Sequence, residues 1–287
     1  MENLLDHIGY MEKWHGSVQW NRNFTEYSVN EILIRDILSR LGINSGLCVE
    51  FGAWDGVKNS NTKKLIDSGW SSIQIEADLM KFQSLKRNYK NNENVKCIQS
   101  FVDAHTNLFD DIIGNNPNID FCSIDIDGLD LDVFGTFSKN LPKIVCIEGG
   151  QTLHPFAQRV SSNIAKDNIH QSLSVYENVF SEKGYKLICS YQDSFFVKEE
   201  YYDLFNVSEN IMDLYLDGIL ALPRLPFIKQ CLVNHGLTNP IVNDILHNCS
   251  YIDPQASLPE KSLWVDKNYK IIKNRVSEIR KDYAASS

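Results

Sequence analysis

The sequence has no long apolar run. No stretch approaches the about 18 consecutive apolar residues that a membrane-spanning helix needs, so no membrane span is expected. The first ten residues carry Glu2, Asp6 and His7 where a secretory signal needs an unbroken apolar centre, which points to a cytoplasmic chain. Basic residues are in deficit. The 28 Lys and Arg against 37 Asp and Glu leave a net charge of −9, which repels a phosphate backbone, so no nucleic acid is expected as partner. Paired cysteine spacing is missing as well. The 7 cysteines are an odd number without metal-ligand spacing, and Cys48, Cys97, Cys122, Cys146 and Cys189 each fall inside an apolar run. They read as reduced, buried thiols acting as small hydrophobes. Internal repeats and low-complexity tracts are also absent.

What remains is a chain of 287 residues with 43% hydrophobic content, enough for one large core, or one core and a smaller appended unit. Glu26–Leu41 has helical spacing, with Ser28 and Glu31 in the pattern of a capping box and Gly42 as a stop. Beyond it, short apolar runs alternate with helical stretches. The runs are Leu47–Phe51, Ser72–Glu76, Val95–Ser100, Ile119–Ile126, Lys143–Ile147, Lys186–Ser190 and Ser194–Val197. The helical stretches are Ser60–Ser68, Met80–Asn88, Thr106–Ile113, Leu131–Lys139 and Ser172–Lys183. Continuous apolar runs suit strands buried on both faces, and strand–helix alternation implies right-handed βαβ units. The expected fold is α/β: a Rossmann-like, seven-stranded, mostly parallel, doubly wound sheet with an antiparallel edge hairpin from its last two strands, plus helical N- and C-terminal additions. From about Glu199 the alternation stops. Prolines are scattered through the remainder, and Lys267–Tyr283 reads as a last charged helix.

Leu47–Phe51 leads into Gly52-Ala53-Trp54-Asp55-Gly56, and Ser60-Asn61-Thr62 then opens a helix. Gly52 and Gly56 permit a tight turn and close approach by a ligand beyond the end of the first strand. About 20 residues past the second glycine, Glu76 ends the second strand, where a carboxylate accepts both hydroxyls of a ribose. A dinucleotide pyrophosphate does not suit this turn, because Trp54 replaces the middle glycine and Glu50 and Asp55 add negative charge. A cationic ligand with a ribose suits it, and S-adenosylmethionine is one. Glu50 would hold its ammonium indirectly, Glu76 its ribose, and Asp103, after the third strand, its adenine amino group. Gly52, Ala53, Trp54, Gly56 and Asn61 complete the expected cofactor set, with Asp125 at the amino end.

These segments resemble a known family. Tyr27-Ser28-Val29-Asn30-Glu31, Val49–Gly56, Ile75-Glu76, Ile119–Gly128 and Val145–Glu148, in this order, are similar to the FkbM-type branch of class I S-adenosylmethionine-dependent methyltransferases. So is Ser172–Tyr185 followed by Ser194–Val197, and the likeness spans roughly Tyr27–Lys198. It implies a methyltransferase domain over 27–200, an N-terminal segment over 1–26, and a mostly helical extension over 201–287 that is either a cap or a homo-oligomer interface. It also implies methyl transfer, in the manner of O-methyltransferases of polysaccharide biosynthesis, to a hydroxyl of a sugar, a nucleotide sugar or a related glycan-linked small acceptor. The chain departs from the family between Glu148 and Ser172, at Gly149-Gly150-Gln151 and His170-Gln171.

Asp125-Ile126-Asp127-Gly128 ends the fourth strand, where alternation puts the two carboxylates on one side, and Glu148 ends the fifth. Like charges this close repel unless a cation or proton lies between them. Either Asp125, Asp127 and Glu148 hold a hard divalent metal such as magnesium, or Asp125 meets the cofactor and Asp127 caps the next helix. The hydroxyl proton needs a base, for which His154, His170 and Asp125 are the candidates; loop histidines are also commonly just exposed. Arg159 would hold an anionic acceptor. The other histidines read as structural or exposed, and Trp14, Trp20 and Trp264 either line an acceptor surface or pack. Two other readings stay open: a metal-dependent glycosyltransferase built on Asp125-Ile126-Asp127, and a non-catalytic binding protein that keeps the fold.

Overall fold

The computed structural model describes residues 30–114, 118–161, 169–190, 193–220, 225–253 and 255–286. The N-terminal segment 1–26, with Trp14 and Trp20, and the capping serine Ser28 lie outside the described residues.

Helix α1 (Glu31–Arg40) precedes β1 (Leu47–Phe51), α2 (Lys63–Asp67), β2 (Ser71–Glu76), α3 (Leu79–Asn88), β3 (Val95–Gln99) and α4 (Phe109–Ile113). Then come β4 (Phe121–Ile124), α5 (Asp130–Gly135), β5 (Ile144–Glu148), α6 (Leu173–Ser181), β6 (Tyr185–Ser190) and β7 (Asp193–Lys198). The strands form one seven-stranded sheet in the order β3-β2-β1-β4-β5-β7-β6. The first five run parallel, and β7 pairs antiparallel with both β5 and β6. This is the expected Rossmann-like doubly wound sheet with its edge hairpin.

Alternation along each strand divides its side chains between two apolar layers. Val49, Phe51, Ile73, Ile75, Cys122, Ile124, Val145 and Ile147 belong to one. Cys48, Phe121, Ile144, Cys146, Ile188 and Phe195 belong to the other, which α1 covers with Leu33, Ile34, Ile37 and Leu38. The first layer is aromatic at its centre: Phe134, Phe180 and Phe196 stack in series with ring centres 3.7 Å apart at each step. The strand cysteines Cys48, Cys122, Cys146 and Cys189 are buried free thiols, and Cys97 is half-buried on the edge strand β3.

The fourth strand is shorter than its apolar run. It ends at Ile124, and Asp127 adopts φ 58, so Asp125-Ile126-Asp127 is a turn and not extended chain. The expected placement of Asp125 and Asp127 by strand alternation is therefore corrected: a left-handed turn arranges them. The alternative helix cap by Asp127 is not made either. No side chain caps α5 at its first position. Asp130 braces the turn, accepting the Ile126 N–H and the Gly128 N–H at 2.8 Å each.

Past a 3-10 turn (Glu199–Leu204) the chain forms α7 (Ile211–Leu220), α8 (Leu225–Asn234), α9 (Pro240–His247) and the long α10 (Leu258–Ser286). Met212, Tyr215, Leu232, Val242, Trp264 and Ile272 from these helices are buried in the same layer as the first-layer strand residues. Trp264 is 5% exposed, belongs to this apolar layer and donates its indole N–H to the Ser250 carbonyl at 2.6 Å. No helix of the described residues is long and apolar enough to cross a membrane.

Asn239 ties this helical part to the sheet. It is 1% exposed, accepts the Ile241 and Val242 N–H groups as the cap of α9, and donates to the Thr152 carbonyl and the Tyr215 hydroxyl. Asn239→Ala removes the cap and leaves two buried acceptors short of a donor. It is expected to cost about 2–4 kcal/mol in urea unfolding. A loss below about 0.5 kcal/mol would show that the tie is not made.

Candidate functional site

The carboxyl ends of β1, β2, β4 and β5 and the loop after β3 open on one cleft of about 400 Å³. Among its walls are Glu50 and Phe51 from β1, the Gly52–Trp54 turn, Ile75 and Glu76 from β2, Ser100–Val102 after β3, Asp125–Asp127 after β4 and Glu148 from β5.

The glycine-flanked turn is built by close packing. Gly52 has φ 65, and a Cβ there would lie 1.8 Å from the Asp125 carbonyl oxygen, so no other residue fits. The Ala53 N–H donates to the Ile75 carbonyl at 3.1 Å, and the Trp54 N–H donates to Glu76 Oε2 at 2.8 Å. Glu76 Oε1 accepts the Asp78 N–H at 2.7 Å. Glu76 is 5% exposed and lines the cleft. Each of its oxygens takes one backbone N–H, and a carboxylate oxygen accepts two hydrogen bonds, so capacity for a ligand's hydroxyls remains.

Glu50 is committed to the scaffold. Its oxygens accept the Ser60 and Thr62 hydroxyls at 2.6 Å each and the Asn61 N–H at 2.7 Å. Burial pushes its carboxyl above the ordinary range, and those donors pull against it. Asn61 turns away from the cleft. Its side-chain NH₂ donates to the Ser123 hydroxyl at 2.9 Å, and its carbonyl accepts from Asn30. The Asn30 NH₂ also donates to Asp193. Asp103 spends its oxygens on the N–H groups of His105, Thr106 and Asn107 and on the Thr106 hydroxyl, which hold its carboxyl low. The structure does not bring Asp103 to the cleft wall; Ser100–Val102 are there, with Phe101 58% exposed. Sequence reasoning passed over two lysines. Lys58 and Lys81 line the cleft, with ammonium groups 4.9 and 4.4 Å from the centre of the Trp54 ring.

Asp125, Asp127 and Glu148 do come together, each offering an oxygen within 4.8 Å of the others. Asp125 is open to the cleft and ringed by protein elsewhere. Burial, then the negative Glu148, Asp193 and Asp130, hold its carboxyl well above the usual carboxylate range. A second group shares Glu148: Asp130 and His170 also lie within 4.8 Å of it and of each other. Asp130 is a member that residue spacing misses, its one signal being its place at the start of a helix. Burial lifts its carboxyl to about 6. His170 Nε2 lies 3.6 Å from Glu148 Oε1. Burial lowers His170, but Glu148, Asp130 and Asp193 together leave it raised.

Neither candidate histidine lines the cleft. His170 is 6% exposed and reaches it only through Glu148. His154 is half-buried, lowered by that burial, and its Nδ1 accepts the Phe156 N–H at 3.3 Å. Arg159 pairs with Asp132 at 3.1 Å.

No family model matches this sequence, and no curated protein matches it. Solved structures align with the chain at low identity and with TM-scores below 0.5. A S-adenosylmethionine-dependent methyltransferase from Aquifex aeolicus aligns at 10% identity and a TM-score of 0.41, covering 66% of this chain and 96% of that one. A putative caffeoyl-CoA O-methyltransferase from Staphylococcus aureus aligns at 16% identity and 0.43, covering 67% and 91%. A putative sarcosine dimethylglycine methyltransferase from Galdieria sulphuraria aligns at 13% and 0.40, covering 87% and 81%.

Glu50, Asp125, Asp130 and His170 are all raised, so each holds its proton more tightly folded than unfolded. Their stabilising contribution is complete below the unfolded values, about 4 for the acids and 6.5 for histidine, and is lost as pH climbs through the folded ones. For Asp130 alone, a rise from 3.8 to about 6 corresponds to roughly 3 kcal/mol. The melting temperature of the ligand-free protein is therefore expected to fall between pH 5 and pH 8. A flat or rising profile over that window in scanning fluorimetry would contradict it.

Proposed function

We propose that this chain binds S-adenosylmethionine across the ends of β1 and β2 and transfers its methyl group to a small acceptor, with the hydroxyl of a sugar or glycan-linked compound as the favoured class. The carrying observation is Glu76: a buried carboxylate on the wall of an acidic cleft, fixed by two backbone donors and still able to accept more. The cleft also suits this ligand by charge. Glu50, Glu76, Asp125, Asp127 and Glu148 line it against Lys58 and Lys81, and this excess of carboxylates favours a cationic nucleoside over a pyrophosphate. The Gly52 contact with Asp125 leaves backbone, not side chain, facing the ligand's path. The order of the motifs, with their FkbM-type pattern, agrees with this reading.

S-adenosylmethionine, when bound, supplies an electrophilic methyl on a good leaving group, so the protein's part is alignment and proton uptake. Glu76 accepts the ribose hydroxyls. Phe101, exposed at the cleft wall, offers an apolar face for the base. Glu50 acts indirectly, by holding Ser60–Thr62 and with them the turn. Asp125 takes the acceptor proton, since it is an open carboxylate on the cleft wall. Asp125, Asp127 and Glu148 also fit a hard divalent cation by donor type and proximity. They would hold magnesium beside the acceptor, where it would lower the pKa of a hydroxyl.

Calorimetry tests the binding claim. Micromolar affinity for S-adenosylmethionine and its demethylated product is expected, and Glu76→Ala should weaken it about tenfold to a hundredfold, the worth of hydrogen bonds to a charged group. No heat with the wild type, or unchanged affinity in the variant, would overturn the reading. A thermal shift with manganese and a uridine diphosphate sugar, and none with the methyl donor, would replace it with glycosyl transfer.

A further inference from the structure

The stretch that departs from the family pattern builds something of its own. Gly149 and Gly150 turn the chain at the end of β5 with φ 108 and 102, and Gly150 bridges to Ser172. A Cβ on Gly149 would lie 2.6 Å from His170 Cβ and 2.7 Å from its Cγ. Glycine there is what seats the imidazole. His170 itself has φ 53, a left-handed conformation that a non-glycine residue adopts only when its surroundings hold it there. The imidazole so placed is 6% exposed, and its Nδ1 has no hydrogen-bond partner. Nε2 faces Glu148 at 3.6 Å, beyond the 2.7–2.9 Å of a charge-assisted hydrogen bond. Two ligands held about 2.1 Å from one ion, at tetrahedral or wider angles, stand roughly 3.4–4 Å apart. Asp130, 1% exposed, completes the set from the start of α5, and its two backbone donors fix it in place.

We propose that Asp130, Glu148 and His170 form a buried site for one divalent first-row transition ion, distinct in donor set from the all-oxygen trio at the cleft mouth. A nitrogen donor beside two carboxylates suits manganese, iron(II), cobalt or zinc better than magnesium or calcium. The ion would neutralise Asp130 and Glu148, and the imidazole would be a ligand rather than a base. The site does not require the methyl donor, so either reading can fail alone.

The test is manganese binding to the full chain without nucleoside, followed by equilibrium dialysis and pulsed electron paramagnetic resonance. Because Glu148 belongs to both groups, one ion per chain, with nitrogen modulation from a directly bound imidazole, is the expected result. His170→Asn, which tolerates a left-handed backbone, should lose that modulation and at least tenfold in affinity, while Asp127→Asn keeps both. The wild-type spectrum decides even if His170→Asn does not fold. No binding at millimolar manganese, or a spectrum with oxygen ligands only, would overturn the proposal. So would binding that Asp127→Asn abolishes. Nucleoside titration on the same sample reports separately on the methyl-donor site.

Discussion

Five carboxylates meet at one end of the sheet, and their mutual repulsion is the constraint around which the site is arranged. Glu50, Glu76, Asp125, Asp127 and Glu148 line a single cleft, with Asp130 and Asp193 behind them. Three kinds of relief are visible. Glu50, Glu76 and Asp130 are held by backbone N–H groups or hydroxyls. Asp125 shifts toward its neutral form. His170 supplies a raised imidazole beside Glu148. What these leave over, a cationic ligand can meet.

The sheet makes the gathering unavoidable. Parallel strands end on the same side, so an acidic residue at the end of β1, β2 and β5, or just past the end of β4, converges with the others whatever its distance in sequence. The turn after β1 then sets the depth of the cleft. Gly52 lies against the Asp125 carbonyl, which ties the β1 and β4 ends together, and the Trp54 N–H ties the turn to Glu76. Behind the sheet, Asn30, Asn61, Ser123 and Asp193 form a polar seam that carries no surface role among the described contacts. Asn61 was expected at the ligand; the seam is where its amide went.

Much of this was legible beforehand, and the reason is periodicity. Seven apolar runs with helical spacers point to a sheet covered by helices on both faces, as a doubly wound architecture provides. Glu76 and the Gly52–Gly56 turn were legible for the same reason, being fixed offsets from strand ends. Loop geometry was not. Nothing in the residue pattern says that β4 stops at Ile124, that Asp127 turns left-handed, or that Asp103 closes on its own loop. Asp130 and His170 belong to one cluster although they are far apart in sequence, and only the paired glycines Gly149-Gly150 hint at a constrained approach. Lys58 and Lys81 share the Trp54 ring through the fold of α3 over the turn, which spacing alone does not encode.

The most direct measurement is a crystal structure of the protein soaked with S-adenosylhomocysteine. The account predicts density across the carboxyl ends of β1 and β2, with both ribose oxygens within hydrogen-bond reach of Glu76. Density for the nucleoside elsewhere, or a cleft still empty at saturating ligand, would contradict it.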